Sequence, residues 1–373
     1  MHKIGLICEY NPFHNGHIYM INEIKKQYPD SILICILNGY FTERGNISII
    51  SKEDKTKIAL NYGIDIVLEL PYVYGTQSAD IFAYQSIKIL NNYGIDTLVF
   101  GSESNDINTL NKIVDLQYDP EYDLKVQELL ENGINYPTAM AKALNIDFEF
   151  KPNDLLGISY IKAIREINNN IKPITIKRTN DYHDIELDNE IVSASNIRER
   201  INNKEDISKY LPSLVLNYIN NINYSKLYNL LKFKILTDKD LSIYLDVDEG
   251  IEYRILKYIN ESNNIDELIS NIKTKRYTYN KINRMLTHIL VGFTKKDNEK
   301  LILDYTKILG FTPKGQEYLN KIRKDLNITS NINKESIIYQ YELKVSYIYE
   351  QVCNKELNNF DNKNIPVIKG KFD

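Results

Sequence analysis

Short apolar runs and amphipathic stretches alternate through the first half of the chain. Ile4–Cys8 has the composition of a buried strand; a turn follows, then a helix from about Asn15 to Gln27. Ser31–Leu37, Ile64–Leu70, Thr97–Phe100 and Pro173–Lys177 read as further strands, with helices over Lys52–Tyr62 and Ala79–Asn91. Strands separated by helical stretches of about 10–15 residues imply βαβ units and a parallel sheet with right-handed crossovers. In such sheets a ligand sits beyond the carboxyl ends of the strands, at the point where strand order reverses. That rule points to Glu9–His17, Asn38–Gly45, Glu69–Tyr74, Gly101–Glu103 and Arg178–His183. The helical runs Glu121–Asn132 and Thr138–Leu144 read as an insertion within this unit.

The pattern changes near residues 200–206. Ile207–Ile219, Tyr224–Phe233, Ile251–Asn260, Tyr279–Leu290 and Lys314–Leu326 carry helical periodicity with few strand signals. The expected organisation is an α/β domain over residues 1–204 and a mainly α-helical domain over residues 205–373. The tail after Leu357 is polar and shows no clear period.

Composition narrows the class. The chain has 373 residues, 43% hydrophobic and 26% charged, with net charge −4, so it is a core-forming globular chain. Cys8, Cys35 and Cys353 are too few and too scattered for a disulfide framework or a zinc cluster. There is no apolar run long enough to span a bilayer, and the N-terminus lacks the apolar core of a signal peptide. A cytoplasmic protein is expected. The charge is divided unevenly. Residues 1–200 hold 19 Lys and Arg against 28 Asp and Glu, whereas residues 201–373 hold 27 against 22. Residues 268–296 contain Lys273, Lys275, Arg276, Lys281, Arg284, Lys295 and Lys296 and no acidic residue. Interleaved with Tyr277, Tyr279 and Phe293, this run fits a nucleic-acid phosphate surface; a solvated basic helix face fits it as well.

The sharpest chemical feature is Asn11-Pro12-Phe13-His14-Asn15-Gly16-His17, directly after the first strand and opening a helix. His14 and His17 are three apart, so both rings can share one side of the helix start. The free N–H groups there attract anions, and Gly16 lets a flat base approach the backbone. This constellation suits a triphosphate. A second, weaker feature is Ser193-Ala194-Ser195-Asn196-Ile197-Arg198, which offers two hydroxyls and a fixed charge at another helix start. The chain contains neither a GxxxxGK[ST] loop nor a GxGxxG after the first strand, which argues against P-loop and dinucleotide sites.

Together these motifs resemble the HxGH nucleotidyltransferase superfamily, and the whole chain resembles the bacterial tRNA(Met) cytidine acetate ligase family. The resemblance rests on GLICEYNPFHNGHIY (5–19), LNGYFTERG (37–45), DIVLELP (65–71), QSADIFA (77–83), FGSES (100–104) and KPNDLLGISYIKAI (151–164). It continues through TIKR with YHD (175–184), SASNIRE (193–199) and NRMLTHILVG (283–292). There are two departures. Thr179-Asn180-Asp181 is shorter and more polar than the family's glycine-containing run, and Tyr40–Glu43 stands where a more amide-rich run is usual.

The resemblance implies a Rossmann-like parallel sheet of the HxGH type followed by an α-helical domain. It also implies an enzyme that activates acetate with ATP as acetyl-adenylate, releasing pyrophosphate, without acetyl-CoA. The acetyl group then passes to N4 of the wobble cytidine of elongator tRNA(Met), giving N4-acetylcytidine. The family's ATP site maps onto Ile7, Cys8, Glu9, Tyr10, Asn11, Pro12, Phe13, His14, Asn15, Gly16, His17, Ile18, Tyr19 and Met20, and onto Gly101, Asn153 and Arg178. His14 and His17 are assigned to the phosphates, Arg178 to the α-phosphate or the departing pyrophosphate, and Ser193, Ser195 and Arg198 to the β/γ end. Gly16 would lie under the adenine, and Gly101 and Asn153 would face the nucleoside. Mg²⁺ is expected to accompany ATP, held mostly by phosphates and water. Lys273, Lys275, Arg276, Lys281 and Arg284 are the expected tRNA contacts, and no obligate protein partner is expected.

Blander roles remain open for several residues. Asn153 could cap a helix beginning near Leu155, and Arg178 could pair with Asp181 or Asp184. His183 fits loop ordering, Cys8 a small buried place and Glu9 the site lining; His288 fits either a core or an RNA-facing position. Two other functions compete: a small-molecule adenylyltransferase, and an RNA-binding protein with a vestigial nucleotide pocket.

Overall fold

The computed structural model describes residues 1–134, 136–146, 148–178, 191–274, 277–326, 331–357, 360–363 and 365–371. Strands β1 (Lys3–Cys8), β2 (Ile32–Asn38), β3 (Ile66–Leu70), β4 (Thr97–Ser102) and β5 (Lys172–Lys177) lie parallel. They are linked by α1 (Asn15–Gln27), α2 (Lys52–Asn61), α3 (Tyr72–Gly75), α4 (Ala79–Asn92), α5 (Ile107–Gln117), α6 (Tyr122–Glu131), α7 (Tyr136–Leu144) and α8 (Pro152–Ile167). β2 and β3 are buried along their whole length, as expected of strands covered on both faces.

Beyond α9 (Ala194–Asn202) come α10 (Ser213–Leu216), α11 (Tyr224–Thr237), α12 (Ile251–Tyr258), α13 (Ile265–Ile272), α14 (Tyr279–Val291) and α15 (Lys295–Glu299). Tyr228 to Ile289 form a second apolar core among α11–α14. The chain then returns to the sheet. β6 (Ile308–Phe311) pairs antiparallel with β3, and β7 (Val367–Ile368) pairs with β6. α16 (Pro313–Ile322), α17 (Ile337–Cys353) and α18 (Phe360–Lys363) follow β6 in the chain, and α17 and Phe360 join the main core. The strand order is β5-β4-β1-β2-β3-β6-β7. The C-terminal half therefore supplies a helical subdomain and also two strands that the sequence pattern did not reveal.

Two local differences have simple causes. The helix expected over Ile207–Ile219 shrinks to Ser213–Leu216, because Pro212 sits at its N-cap and biases Leu211 away from helical geometry. Asn153 does not cap α8: Lys151 does, and Pro152 occupies the first turn.

The two cores meet where α14 packs on the loop after β2. Asn283 Nδ2 donates to Arg44 O at 2.9 Å and to Asn46 Oδ1 at 3.1 Å, and Thr287 Oγ1 donates to Gly45 O at 2.9 Å. Gly45 has φ +80°, and a Cβ there would lie 2.8 Å from Arg284 Cα, so only glycine fits this crossing.

Candidate active site

β1 lies between β2 and β4, so strand order reverses at the β1/β4 gap. A cavity of about 540 Å³ opens at the carboxyl ends of β1, β4 and β5. Ile7 and Cys8 from β1, Gly101 from β4 and Arg178 beyond β5 all line it. Glu69–Tyr74, at the end of β3, does not: β3 is two strands from the reversal, and Glu69 is buried in an ion cluster.

The chain leaves β1 through Glu9 and Tyr10, which has φ +47°, then a cis Asn11–Pro12 bond, and enters α1 at His14. His14 is the N-cap. Its Nδ1 accepts the Gly16 N–H at 3.1 Å, while its own N–H donates to His17 Nδ1 at 3.1 Å. The two rings lie 3.9 Å apart, centroid to centroid. This is a capping box with imidazoles in place of hydroxyl and carboxylate. Because each Nδ1 accepts, the neutral ring carries its proton on Nε2 and offers an N–H donor there. Burial, with the Arg178 and Arg198 charges, lowers His14 to about 3. Burial, with His14 and Arg178, holds His17 well below its usual value. Both rings are thus neutral donors at physiological pH.

Gly16 is required by this box. A Cβ would lie 2.8 Å from His14 Cε1. Phe13 stacks between His17 and Tyr62, with centroids 5.3 and 5.0 Å away, and holds the ring from below.

Cationic groups converge on the same cavity. The Arg178 N–H donates to Ser102 O at 3.0 Å, and its side chain runs beside Gly101, whose hypothetical Cβ would sit 3.3 Å from Arg178 Cγ. Ser193 caps α9 by accepting from Asn196 N–H at 3.2 Å, and its Oγ lies 2.9 Å from Ser195 Oγ. Arg198 Nη1 donates to Asn11 O at 2.5 Å, which ties the two expected phosphate motifs together. Asn153 lines the cavity from the first turn of α8; its Nδ2 donates to Glu103 Oε1 at 2.6 Å.

Most of the expected residues line this space: Ile7, Cys8, Glu9, Tyr10, Asn11, His14, Gly16, His17, Tyr19, Met20, Gly101, Asn153, Arg178, Ser193, Ser195 and Arg198. Pro12, Phe13, Asn15 and Ile18 are not in the lining. Asn15 instead donates to Lys209 O at 2.9 Å. Asp181, His183 and Asp184 lie outside the described residues, as do Lys275 and Arg276. His288 is a core residue, fully buried, with Nδ1 2.9 Å from Tyr72 Oη.

Arg284 is a correction to the expected tRNA surface. Its Nε lies 3.0 Å from Asp246 Oδ2, its Nη1 donates to Gln77 O at 3.0 Å, and Glu43 Oε1 lies 3.6 Å away. Its side chain is 12% exposed, so the guanidinium is committed internally. Lys273 is exposed, and Lys281 lies half-buried with its ammonium over the Tyr277 ring, 4.4 Å from the centroid.

Thr42, Glu43 and Arg44, in the strand-end region Asn38–Gly45 to which the fold rule pointed, line the cavity, as do Asn46, Asn280 and Tyr279, none of which the sequence placed at the nucleotide site. Position at a strand end signalled the loop; an aromatic beside the basic run signalled Tyr279. Glu9 and Glu43 are the carboxylates among the described lining residues. Glu9 Oε1 accepts from the Glu43 N–H at 2.6 Å and from Asn38 Nδ2 at 3.0 Å. Burial, reinforced by the Glu9 charge, pushes Glu43 up to about 7. A protonated carboxyl can donate a hydrogen bond as an amide does, which rationalises its place in a run where amides are usual.

The family model described as HIGH Nucleotidyl Transferase matches residues 1–364. The tRNA(Met) cytidine acetate ligase of Fusobacterium nucleatum is 36% identical over 392 residues, with 98% of each chain covered. The enzyme of the same name from Bacillus subtilis is 36% identical over 88% of this chain and 86% of its own. Among solved structures, apo Thermotoga maritima TmcAL superposes with a TM-score of 0.86 at 27% identity, covering 99% of both chains. Its complex with alpha-thio ATP gives 0.85. The family model across the chain, these near full-length relatives and the fold shared with the Thermotoga protein lead to one conclusion: the chain belongs to the HIGH nucleotidyl transferases, in the tRNA(Met) cytidine acetate ligase family.

Proposed function

We propose that this chain activates acetate with ATP at the HxGH cavity and transfers the acetyl group to N4 of the wobble cytidine of elongator tRNA(Met). The observation that carries the reading is the convergence of two neutral imidazole donors, Arg178 and the Ser193–Arg198 turn on one cavity at the strand reversal. The names of the relatives and the alpha-thio ATP bound by the Thermotoga protein support it.

In the first step an acetate oxygen attacks the α-phosphorus, the bond to the β-phosphate bridging oxygen breaks, and pyrophosphate leaves. In the second, N4 attacks the acetyl carbonyl and loses a proton, and AMP departs. Acetyl-CoA has no part in this scheme. His14 and His17 donate through Nε2–H to phosphate oxygens, and Arg178 stabilises the charge that develops on the departing pyrophosphate. Ser193, Ser195 and Arg198 hold the β/γ end. Donors already aimed at developing charge need no reorganisation during reaction, which is where most of the rate gain arises. Mg²⁺ travels with the triphosphate. Glu9 and Glu43 are poor candidates for a metal cage, because Glu9 is engaged by Asn38 and the Glu43 N–H.

The helical subdomain would hold the anticodon stem through phosphate contacts, with Lys273 and Lys281 the described candidates; Lys275 and Arg276, between them in the sequence, lie outside the described residues. The test is ATP–pyrophosphate exchange with and without acetate, on wild type and His17→Ala. Exchange that requires acetate and is lost in the variant supports the reading. Exchange driven instead by a phosphorylated small acceptor, with none from acetate even when tRNA is added, would move the assignment to a small-molecule adenylyltransferase.

A further inference from the structure

A second cavity of about 250 Å³ adjoins the first and shares Asn46, Arg198 and Tyr279 with it as a common wall. Its floor is apolar, built from side chains such as Leu227 and Leu231 of α11 and Leu286 of α14. Its walls carry two exposed tyrosines: Tyr224 is 48% exposed and Tyr279 is 38% exposed. The Tyr279 hydroxyl donates to Asp266 Oδ1, which fixes the ring. Charges of both signs lie close by, since Arg198 and Asp266 both act on the Tyr224 hydroxyl.

Exposed aromatic faces beside fixed charges, at the mouth of a nucleotide cavity, have the character of a stacking platform. A base inside a helical stack cannot present its exocyclic amine to an acyl-adenylate; it must leave the stack and be received by another flat surface. The room available suits one ring, not a duplex, because the space is small and bordered by α9, α11, α13, α14 and the β2 loop. An exposed carboxylate such as Asp266 also suits the amine edge of cytosine, which is a donor.

We propose that Tyr279 is the stacking seat for the target pyrimidine of the RNA substrate, at the doorway between the second cavity and the adenylate cavity. This inference rests on the proposed acetyl transfer and adds the nucleobase subsite to it. Tyr279 is a binding residue in this scheme: its ring serves the base, although it also lines the adenylate cavity.

The test compares wild type, Tyr279→Ala and Tyr279→Phe in two assays: acetate-dependent ATP–pyrophosphate exchange, and acetyl transfer from labelled acetate to tRNA(Met). Loss of base–aromatic stacking, worth about 1–3 kcal/mol, corresponds to a fall of roughly five- to 150-fold in kcat/KM for tRNA. Tyr279→Ala should fall in that range in transfer and lose clearly less in exchange, since the ring also borders the adenylate cavity; Tyr279→Phe, which keeps the stacking face, should stay within about threefold of wild type in both. Equal loss in both assays would make Tyr279 part of the ATP site and overturn the proposal. Unchanged transfer in the alanine variant would overturn it too. A second arm needs no turnover: an anticodon stem-loop with 5-iodocytidine at the target position, which keeps the N4 amine, is irradiated with the wild-type protein. A crosslink mapping to Tyr279 supports the seat, and a crosslink confined to other elements refutes it. Failure of the functional reading has a separate signature, namely wild-type enzyme that shows no acetate-dependent exchange and no acetyl transfer.

Discussion

His17 Nδ1 accepts the backbone N–H of His14 at 3.1 Å, so one imidazole of the cavity is positioned by the peptide of the other. Each ring takes part in the helix cap and, in the proposed reaction, would also be a phosphate donor. Removing either should therefore cost at least what one donor is worth. We expect His14→Ala and His17→Ala each to lower acetate-dependent exchange by about 10²–10³-fold, the range found when a single preorganised donor is deleted. The double variant should lose little more than either single one, because the rings act as a unit. An additive double variant would show that the two contribute independently.

The same geometry sets the pH behaviour. His14 is lowered to about 3 and His17 is lowered well below its usual value, so neither ring gains a proton between pH 6 and 8. The rate of exchange should show no inflection near 6.5 from these residues. In stability the sign is definite. The unfolded chain protonates these rings near 6.5 and the folded chain does not, so their contribution is full above 6.5 and is lost as pH falls toward 3. An alanine variant at His14 should narrow the gap between unfolding free energies measured at pH 7 and pH 5.

Much of this site could be read from residues alone. The α1 boundaries match the expected Asn15–Gln27 because HxGH is itself a capping signal. β1 to β5 announced themselves as apolar runs between amphipathic ones. β6 and β7 did not, being four and two residues long. Their pairing with β3 and with each other joins residues more than 200 positions apart in the first case, and no local pattern encodes that. Arg284 was misread for a related reason. Its charge is visible in the sequence, but Asp246 and Gln77, which consume it, lie 38 and 207 residues away. A basic run records how many cations are present and not which of them face solvent.

Glu43 carries the next prediction. Its folded pKa, about 7, stands above the ordinary 4.5, so the folded state binds its proton more tightly than the unfolded state does. Its ionisation therefore opposes folding above pH 7, and the penalty disappears as pH falls through 7 toward 4.5. Glu43→Gln should stabilise the protein at pH 8 by about 1–3 kcal/mol and leave it unchanged near pH 4.5. Urea unfolding at the two pH values checks this. Equal effects at both would mean that the carboxyl ionises normally.

Arg284 separates structure from RNA binding. Arg284→Ala strands Asp246 at the junction of α14 with the β2 loop and removes a charge that favours ionised Glu43. We expect a loss of about 1–3 kcal/mol in unfolding free energy, below the full cost of a buried pair because Asp246 keeps partial solvent access. The salt dependence of tRNA binding should not change. Lys273→Glu and Lys281→Glu should do the reverse, leaving stability near wild type and reducing the slope of log K against log salt by about one or more each. A shallower slope in Arg284→Ala would restore this residue to the RNA surface.

Lys52 ties the C-terminal return of the chain to the sheet. Its ammonium is fully buried and meets Glu69 of β3, Glu342 of α17 at 2.9 Å and Asp361 of α18 at 2.6 Å. Lys307 adds a second cation, 3.1 Å from Asp361. Two ammonium groups face three carboxyls, so one carboxyl is in excess. Burial and the Glu69 charge push Glu342 up to about 7, whereas the two lysines hold Asp361 well below the usual carboxylate range. The cluster therefore approaches balance when Glu342 holds its proton. Lys52→Met upsets that balance and leaves carboxylates facing one another in the core, which should cost about 3–5 kcal/mol. Glu342→Gln keeps the shape and removes only the excess group. It should be nearly neutral below pH 5 and stabilising at pH 8, the opposite of what an ordinary salt-bridge partner would show. If both variants lose stability equally at pH 8, Glu342 is ionised and indispensable to the cluster, and the balance argued here fails.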